Sequence, residues 1–176
     1  MPPSNKEPLE QLAAEINQCR MCRLCGDGKR SVPGSGKIGA NIMVVGQTPG
    51  YNEMQYGVAM SGLPGQFLIA AMSNAGISPS RVFYTYMVKG DPGKKGQKTL
   101  EPSEHTINQC KMWLEAEFSI VKPKIIIALG AVVMKEFGIK GGIQQNSGKI
   151  FVTDFGPVLV IQSPNAIMAK PVDAPK

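Results

Sequence analysis

The stretch Asn41-Ile-Met-Val-Val-Gly-Gln-Thr-Pro-Gly50 decides the fold. Four consecutive apolar residues run straight into a turn built of Gly46, Pro49 and Gly50, as in a strand covered on both faces rather than one that alternates between core and solvent. The loop at the carboxyl end of such a strand is where open α/β sheets place their ligands. Working outward, residues 124–129 form a second apolar, largely β-branched run, residues 82–88 a third, and residues 150–153 and 158–161 a final pair. Helical segments lie between them. Leu9, Leu12, Ala13 and Ile16 recur at helical spacing, residues 66–75 end at Gly76, and residues 102–118 and 132–137 supply two more.

Strands alternating with helices predict a single-domain three-layer α/β/α sandwich with a mostly parallel central sheet. No internal repeat, heptad run or second domain interrupts residues 1–170, and residues 171–176 read as a disordered tail. At 176 residues, 43% hydrophobic and 18% charged, the chain suits one ordinary core and is neither disordered nor fibrous in composition. No apolar run reaches the roughly 18 residues of a membrane span, and the opening MPPSNKEPLE has neither a basic leader nor an apolar signal core. The expectation is a cytoplasmic or otherwise intracellular protein with no membrane partner. Nineteen Lys and Arg against thirteen Asp and Glu, net +6, favour a polyanionic partner. Three of the four cysteines are packed at Cys19, Cys22 and Cys25, unlike a dispersed disulfide framework and more like metal or cluster ligands.

Taken in order, several segments resemble the iron–sulfur uracil-DNA glycosylases of family 4. They are Cys19-x-x-Cys22, Val32-Pro-Gly-x-Gly36, Ile42-Met-Val-Val-Gly46 leading to Pro49-Gly50, Gly57 with Gly62-x-x-Gly65-Gln66, Val88-Lys89, Cys110, and Pro123-Lys-x-Ile-x-x-Leu-Gly130. The resemblance spans residues 15–168 and implies the uracil-DNA glycosylase-like fold. Such an enzyme flips a nucleotide out of the duplex, reads its base edge in a tight pocket, and stabilises the charge that develops as the base leaves.

The positions that the resemblance assigns to this work are substituted. The family's strand-end motif resembles Gly-Glu-Ala-Pro-Gly, whereas Gln47 follows Gly46 here, and an amide cannot act as a carboxylate base. The family's stacking Phe is Met60, which has no flat face. Its base-reading Asn is Tyr86, a phenol expected to fill the space of a base. Its His-Pro motif is Ser163-Pro164-Asn165-Ala166. Losing an oxyanion donor of that kind costs on the order of 2.7–4 kcal/mol, and a shorter hydroxyl recovers only part. Gln47, Glu53 and Ser163 therefore stand as degenerate catalytic candidates, and Gly46, Met60, Tyr86 and Asn165 as base-pocket candidates. Glu53 reads equally as a group orienting a water near the sugar or as a solvated loop carboxylate. His105, at a helix start away from these motifs, reads as non-catalytic.

The family's cluster has four thiolates. Cys19, Cys22 and Cys110 match three of them, but Gly90 stands where the fourth is expected, directly after Val88-Lys89. Cys25 is then either the replacement ligand for a four-iron, four-sulfur (4Fe–4S) cluster or a bystander. A three-Cys or partly occupied cluster, zinc on four thiolates and simple reduced thiols are the other readings. Lys29, Arg30 and Lys37 lie in one Gly-rich loop and Lys89, Lys94, Lys95 and Lys98 in another, where the resemblance puts DNA; such side chains suit phosphate contacts without sequence readout. Solvation alone is the bland reading of those lysines.

Three functions fit. The first is a degenerate glycosylase homologue binding DNA or a protein partner in repair or replication. The second is a DNA glycosylase, hence a hydrolase, of altered base specificity. The third is a protein-interaction subunit that keeps the fold as scaffold, a reading favoured by how soon the chain ends after Ser163-Pro164.

Overall fold

A computed structural model describes residues 7–25, 29–95 and 98–169. In chain order the first half comprises α1 (Glu7–Asn17), β1 (Ile42–Gly46), α2 (Tyr51–Tyr56), α3 (Leu63–Asn74), β2 (Val82–Tyr86) and the short strands β3 (Lys94–Lys95) and β4 (Lys98–Thr99). The second half comprises α4 (Glu104–Val121), β5 (Ile125–Leu129), α5 (Ala131–Glu136), α6 (Ile143–Asn146), β6 (Ile150–Thr153), β7 (Gly156–Ile161) and α7 (Pro164–Met168). The central sheet has the order β2-β1-β5-β7-β6, parallel except for β6, which pairs antiparallel with β7. β3 and β4 form a separate two-stranded hairpin. The expected sandwich is therefore present.

Alternation along each strand divides the core between two faces. Met43, Val45, Phe83, Ile126 and Ala128 pack with Ile107 and Cys110 of α4 and Val133 and Met134 of α5. Val44, Tyr84, Tyr86, Ile127 and Leu129 face the opposite way, with Leu68 and Met72 of α3. Both faces of β1 are thus covered, which is why its sequence is an unbroken apolar run. α1 buries Leu12 and Ile16, one turn apart, and packs against α4. From β1 the chain goes first to β2 on one side and later to β5 on the other, so the crevice at their carboxyl ends is a topological switch point.

Several expected boundaries shift. The strand expected over residues 82–88 ends at Tyr86, and the helix expected over residues 66–75 begins three residues earlier, with Pro64 in its first turn. The hairpin β3–β4 lies inside a segment read as loop, and α2, α6 and α7 are too short for a hydrophobic period to announce them. The tail expected at residues 171–176 lies outside the described residues.

β2 is an edge strand, yet all five of its residues are buried. Its free edge is covered by the segment Val32-Pro-Gly-Ser-Gly36. Ser35 and Tyr84 exchange both backbone hydrogen bonds at 2.8 Å, and Val32 N–H donates to Lys89 C=O at 2.8 Å. A Cβ on Gly34 would lie 2.4 Å from the Phe83 ring, and one on Gly36 would lie 2.8 Å from the Phe83 Cα. Only glycine lets this cover sit down on the strand, which removes a template for aberrant pairing.

Beneath the cover lies a buried ion pair. Lys89 Nζ is 2.7 Å from Glu117 Oε2, and both side chains are about 1% exposed. The ammonium also donates to Thr85 Oγ1 (2.6 Å) and to Tyr86 C=O (2.8 Å). Thr85 donates to Glu117 Oε2 (2.6 Å), while Gly34 N–H donates to Glu117 Oε1 (2.8 Å). The expectation that Lys89 contacts DNA is corrected here: its charge is enclosed in the core and already satisfied.

The cover and the pair both bear on stability. Lys89→Ala leaves the Glu117 carboxylate buried without its cation and is expected to cost about 3–5 kcal/mol in urea unfolding. Gly34→Ala, which drives a methyl into Phe83, is expected to cost about 1–3 kcal/mol by the same measurement.

Candidate functional site

The carboxyl ends of β1, β2, β5 and β7 gather several of the expected catalytic and base-pocket residues. Gly46 ends β1, Tyr86 ends β2 opposite it in register, and Ser163 follows β7 beside Gly130, which follows β5. A Cβ on Gly46 would come within 2.8–2.9 Å of the Tyr86 ring and 3.2 Å of the Met60 methyl. Gly46 is therefore the residue that lets the phenol lie across the strand end.

Tyr86 is 5% exposed. Its oxygen accepts the Met60 N–H at 3.0 Å, and its O–H lies 3.6 Å from the Met60 sulfur. Burial, then the neighbouring Glu53 charge, push the Tyr86 phenol well above the ordinary tyrosine range, while the Met60 hydrogen bond opposes them. Met60 has φ 59°, a left-handed conformation that disfavours a side chain. It is held there from both ends, because Gln66 Nε2 donates to Met60 C=O at 3.0 Å.

Glu53 is 6% exposed, so the solvated-carboxylate reading is corrected. One oxygen accepts Gly50 N–H at 3.1 Å and the other Gly62 N–H at 2.8 Å. These amides belong to the N-caps of α2 and α3, and a carboxylate there satisfies orphan donors and the positive ends of both helix dipoles. Glu53 thus clamps two helices at the crevice, with both oxygens engaged. Gln47 is half-buried, and its carbonyl accepts Val88 N–H at 3.1 Å. Ser163 caps α7 by accepting Ala166 N–H at 3.3 Å, and Asn165 points out as an exposed residue of that helix.

The second assembly is sulfur. Cys19, Cys25 and Cys110 are buried, Cys22 is partly so, and all four are free. They come from the end of α1, the turn after it and α4, yet the charge of each of the other three bears on Cys25. Burial first, then these neighbours, push the Cys25 thiol up to about 12, while the Ser31 hydroxyl beside it acts in the opposite direction. Cys110 is also pushed up by burial, against a hydrogen bond from the Lys89 backbone N–H. Among the described residues no three His, Cys, Asp or Glu side chains are set around a single metal ion. The donor set is nonetheless four thiols and nothing else, which is the chemistry a thiolate-bound cluster takes.

Beside the cysteines an open groove of about 840 Å³ is lined by Arg20, Arg23, Ser103, His105 and Gln109, among others. His105 lies there, away from the crevice. The lysines Lys94, Lys95 and Lys98 lie on the β3–β4 hairpin; their side chains fall outside the described residues. What the sequence reading missed was Glu117 as the partner of Lys89. The signal was present, because Glu117 falls in helical step with the buried Ile107, Cys110 and Val121 of α4. An acid on an apolar stripe asks for a buried cation.

Comparison with known proteins gives a model described as the uracil DNA glycosylase superfamily, which matches residues 33–176. A type-4 uracil-DNA glycosylase of Pyrobaculum aerophilum is 34% identical over 72% of this chain and 63% of its own length. One of Archaeoglobus fulgidus is 26% identical over 94% of this chain and 85% of its own. A DNA polymerase of Bacillus phage SP01 is 27% identical over 81% of this chain but only 15% of its own length. The chain spans 55–63% of the length of three archaeal relatives. No helix among the described residues is long and apolar enough to cross a membrane.

Because burial raises the Tyr84 and Tyr86 phenols, the fold favours their protonated forms, and this stabilisation is complete below the unfolded pKa of about 10. It is lost as pH rises through the higher folded values. Unfolding free energy is expected to fall steadily above pH ~10, with a smaller fall in Tyr86→Phe, read by urea titration across alkaline pH.

Proposed function

Since the chain belongs to the uracil-DNA glycosylase superfamily, we propose that it binds DNA on that scaffold in a repair or replication context and has lost efficient uracil excision. The observation that carries this reading is the crevice filled by Tyr86, whose ring lies against Gly46 and whose oxygen accepts the Met60 amide. A flipped base needs that volume together with polar groups facing its edge. Gln47 supplies no carboxylate, and both oxygens of Glu53 are spent on backbone amides. Ser163 offers a short hydroxyl that already accepts from its own helix.

DNA binding is supported by the net charge of +6 and by the lysines of the β3–β4 hairpin. The replication context is supported by the likeness to a phage DNA polymerase. The iron–sulfur cluster belongs to the same reading: Cys19, Cys22 and Cys110 would hold it with a fourth sulfur. When bound, it would supply a cross-link between the end of α1 and α4, next to the hairpin.

Purified protein is expected to form no abasic sites on single- or double-stranded DNA carrying one uracil, or to do so at least ~10²-fold more slowly than an ordinary glycosylase. Release at an ordinary rate sinks the reading. DNA binding is expected to weaken steeply with salt. Lys94→Ala with Lys95→Ala should weaken it on every sequence and reduce the salt slope by about one for each phosphate left unneutralised. Binding that ignores both salt and these lysines would turn the search to protein partners.

A further inference from the structure

We infer that Cys25 is the fourth sulfur ligand of the cysteine site, and that residue 90 is glycine because Leu24 and Cys25 together occupy the space its side chain would need. The inference rests on the cluster reading above and adds which residue completes it.

Gly90 is buried at the end of the segment that follows β2. A Cβ built on it would lie 2.9 Å from Cys25 Sγ, and 2.7 Å from both the Cβ and the carbonyl oxygen of Leu24. A distance under 3 Å between such atoms is a collision, so residue 90 and Cys25 compete for one volume. Cys25 has won it: the residue is 0% exposed, more enclosed than Cys19 at 6% or Cys110 at 2%. Its neighbours are the other three sulfurs and the Ser31 hydroxyl. That hydroxyl is buried beside the sulfur without a hydrogen-bond partner of its own.

The backbone positions both halves of the arrangement. Cys25 N–H donates to Cys22 C=O at 3.1 Å, closing the turn that swings the third cysteine inward. Lys89, anchored by Glu117, fixes the segment carrying Gly90 and directs its own N–H at Cys110. The site therefore takes three sulfurs from one short run and one from α4. Sulfur at residue 25 fills the corner that the β2 side of the fold leaves vacant at residue 90. The ligand it fits is a cluster bound by four thiolates, each losing its proton on binding.

The test is anaerobic purification and reconstitution with ferrous iron and sulfide, reading iron and acid-labile sulfide per chain, visible absorbance and electron paramagnetic resonance. The wild-type chain is expected to hold about four irons. Cys25→Ala and Cys25→Ser are expected to hold about three or fewer, with the resonance of a three-iron cluster or none. Circular dichroism of the iron-free variants, Cys25→Ser being close to isosteric, separates failure to bind from misfolding. Gly90→Ala, whose methyl would displace Cys25, is also expected to lower the iron content.

If the wild type loads and Cys19→Ala, Cys22→Ala and Cys110→Ala lose iron but both Cys25 variants keep all of it, the assignment of Cys25 is overturned and the cluster reading stands. Full iron in Gly90→Ala overturns the competition for space. A wild-type chain that takes up no iron overturns the cluster reading and this inference together.

Discussion

The buried contact between Lys89 and Glu117 is the constraint to which the rest of the molecule is tied. Two charges taken out of water are tolerable only when every donor and lone pair around them is used. Here Thr85, Tyr86 C=O and Gly34 N–H complete the set. The pair thereby fixes the end of β2, one face of α4 and the glycine-rich cover over the sheet edge in a single geometry. Lys89 also gives its carbonyl to Val32, and its backbone amide lies near Cys110. One residue thus links the edge cover, the core and the sulfur site, and a chain in which the pair failed to form would lose the register of all three.

From this anchor the β2 strand delivers Tyr86 to the crevice and Gly90 to the cysteines, four residues apart. At the crevice the phenol finds Gly46, Met60 and the Glu53 clamp. Three acceptors there are engaged within the protein, a carboxylate on two helix N-caps, a phenol oxygen on an amide and a serine oxygen on its own helix, while the Ser61 hydroxyl between Met60 and Gly62 is buried without a partner. At the cysteines three buried thiols and the partly buried Cys22 gather near an unpartnered hydroxyl.

Legibility followed the range of the interactions. The continuous apolar runs at residues 42–45 and 125–129 report burial on both faces, a property of the strand alone, and so announced a parallel sheet. Gln47, Met60 and Ser163 could be weighed because each is a substitution within a local motif. The burial of Glu53 was not legible because its partners, Gly50 and Gly62, belong to two different helix starts, and their convergence depends on how α2 and α3 pack. Lys89 was misjudged for the same reason, its partner lying 28 residues away on another element.

The sequence by itself therefore determined the sandwich and the family, since these depend on periodicity and on motifs read along the chain. Only the tertiary structure decided that Lys89 is an internal cation, that Glu53 is a clamp, that Tyr86 packs across the end of β1 against Gly46 and Met60, and that Cys25 lies where residue 90 would reach. Each of those depends on which segments meet in space, and meeting is set by close packing and by the need to pair every buried charge and amide.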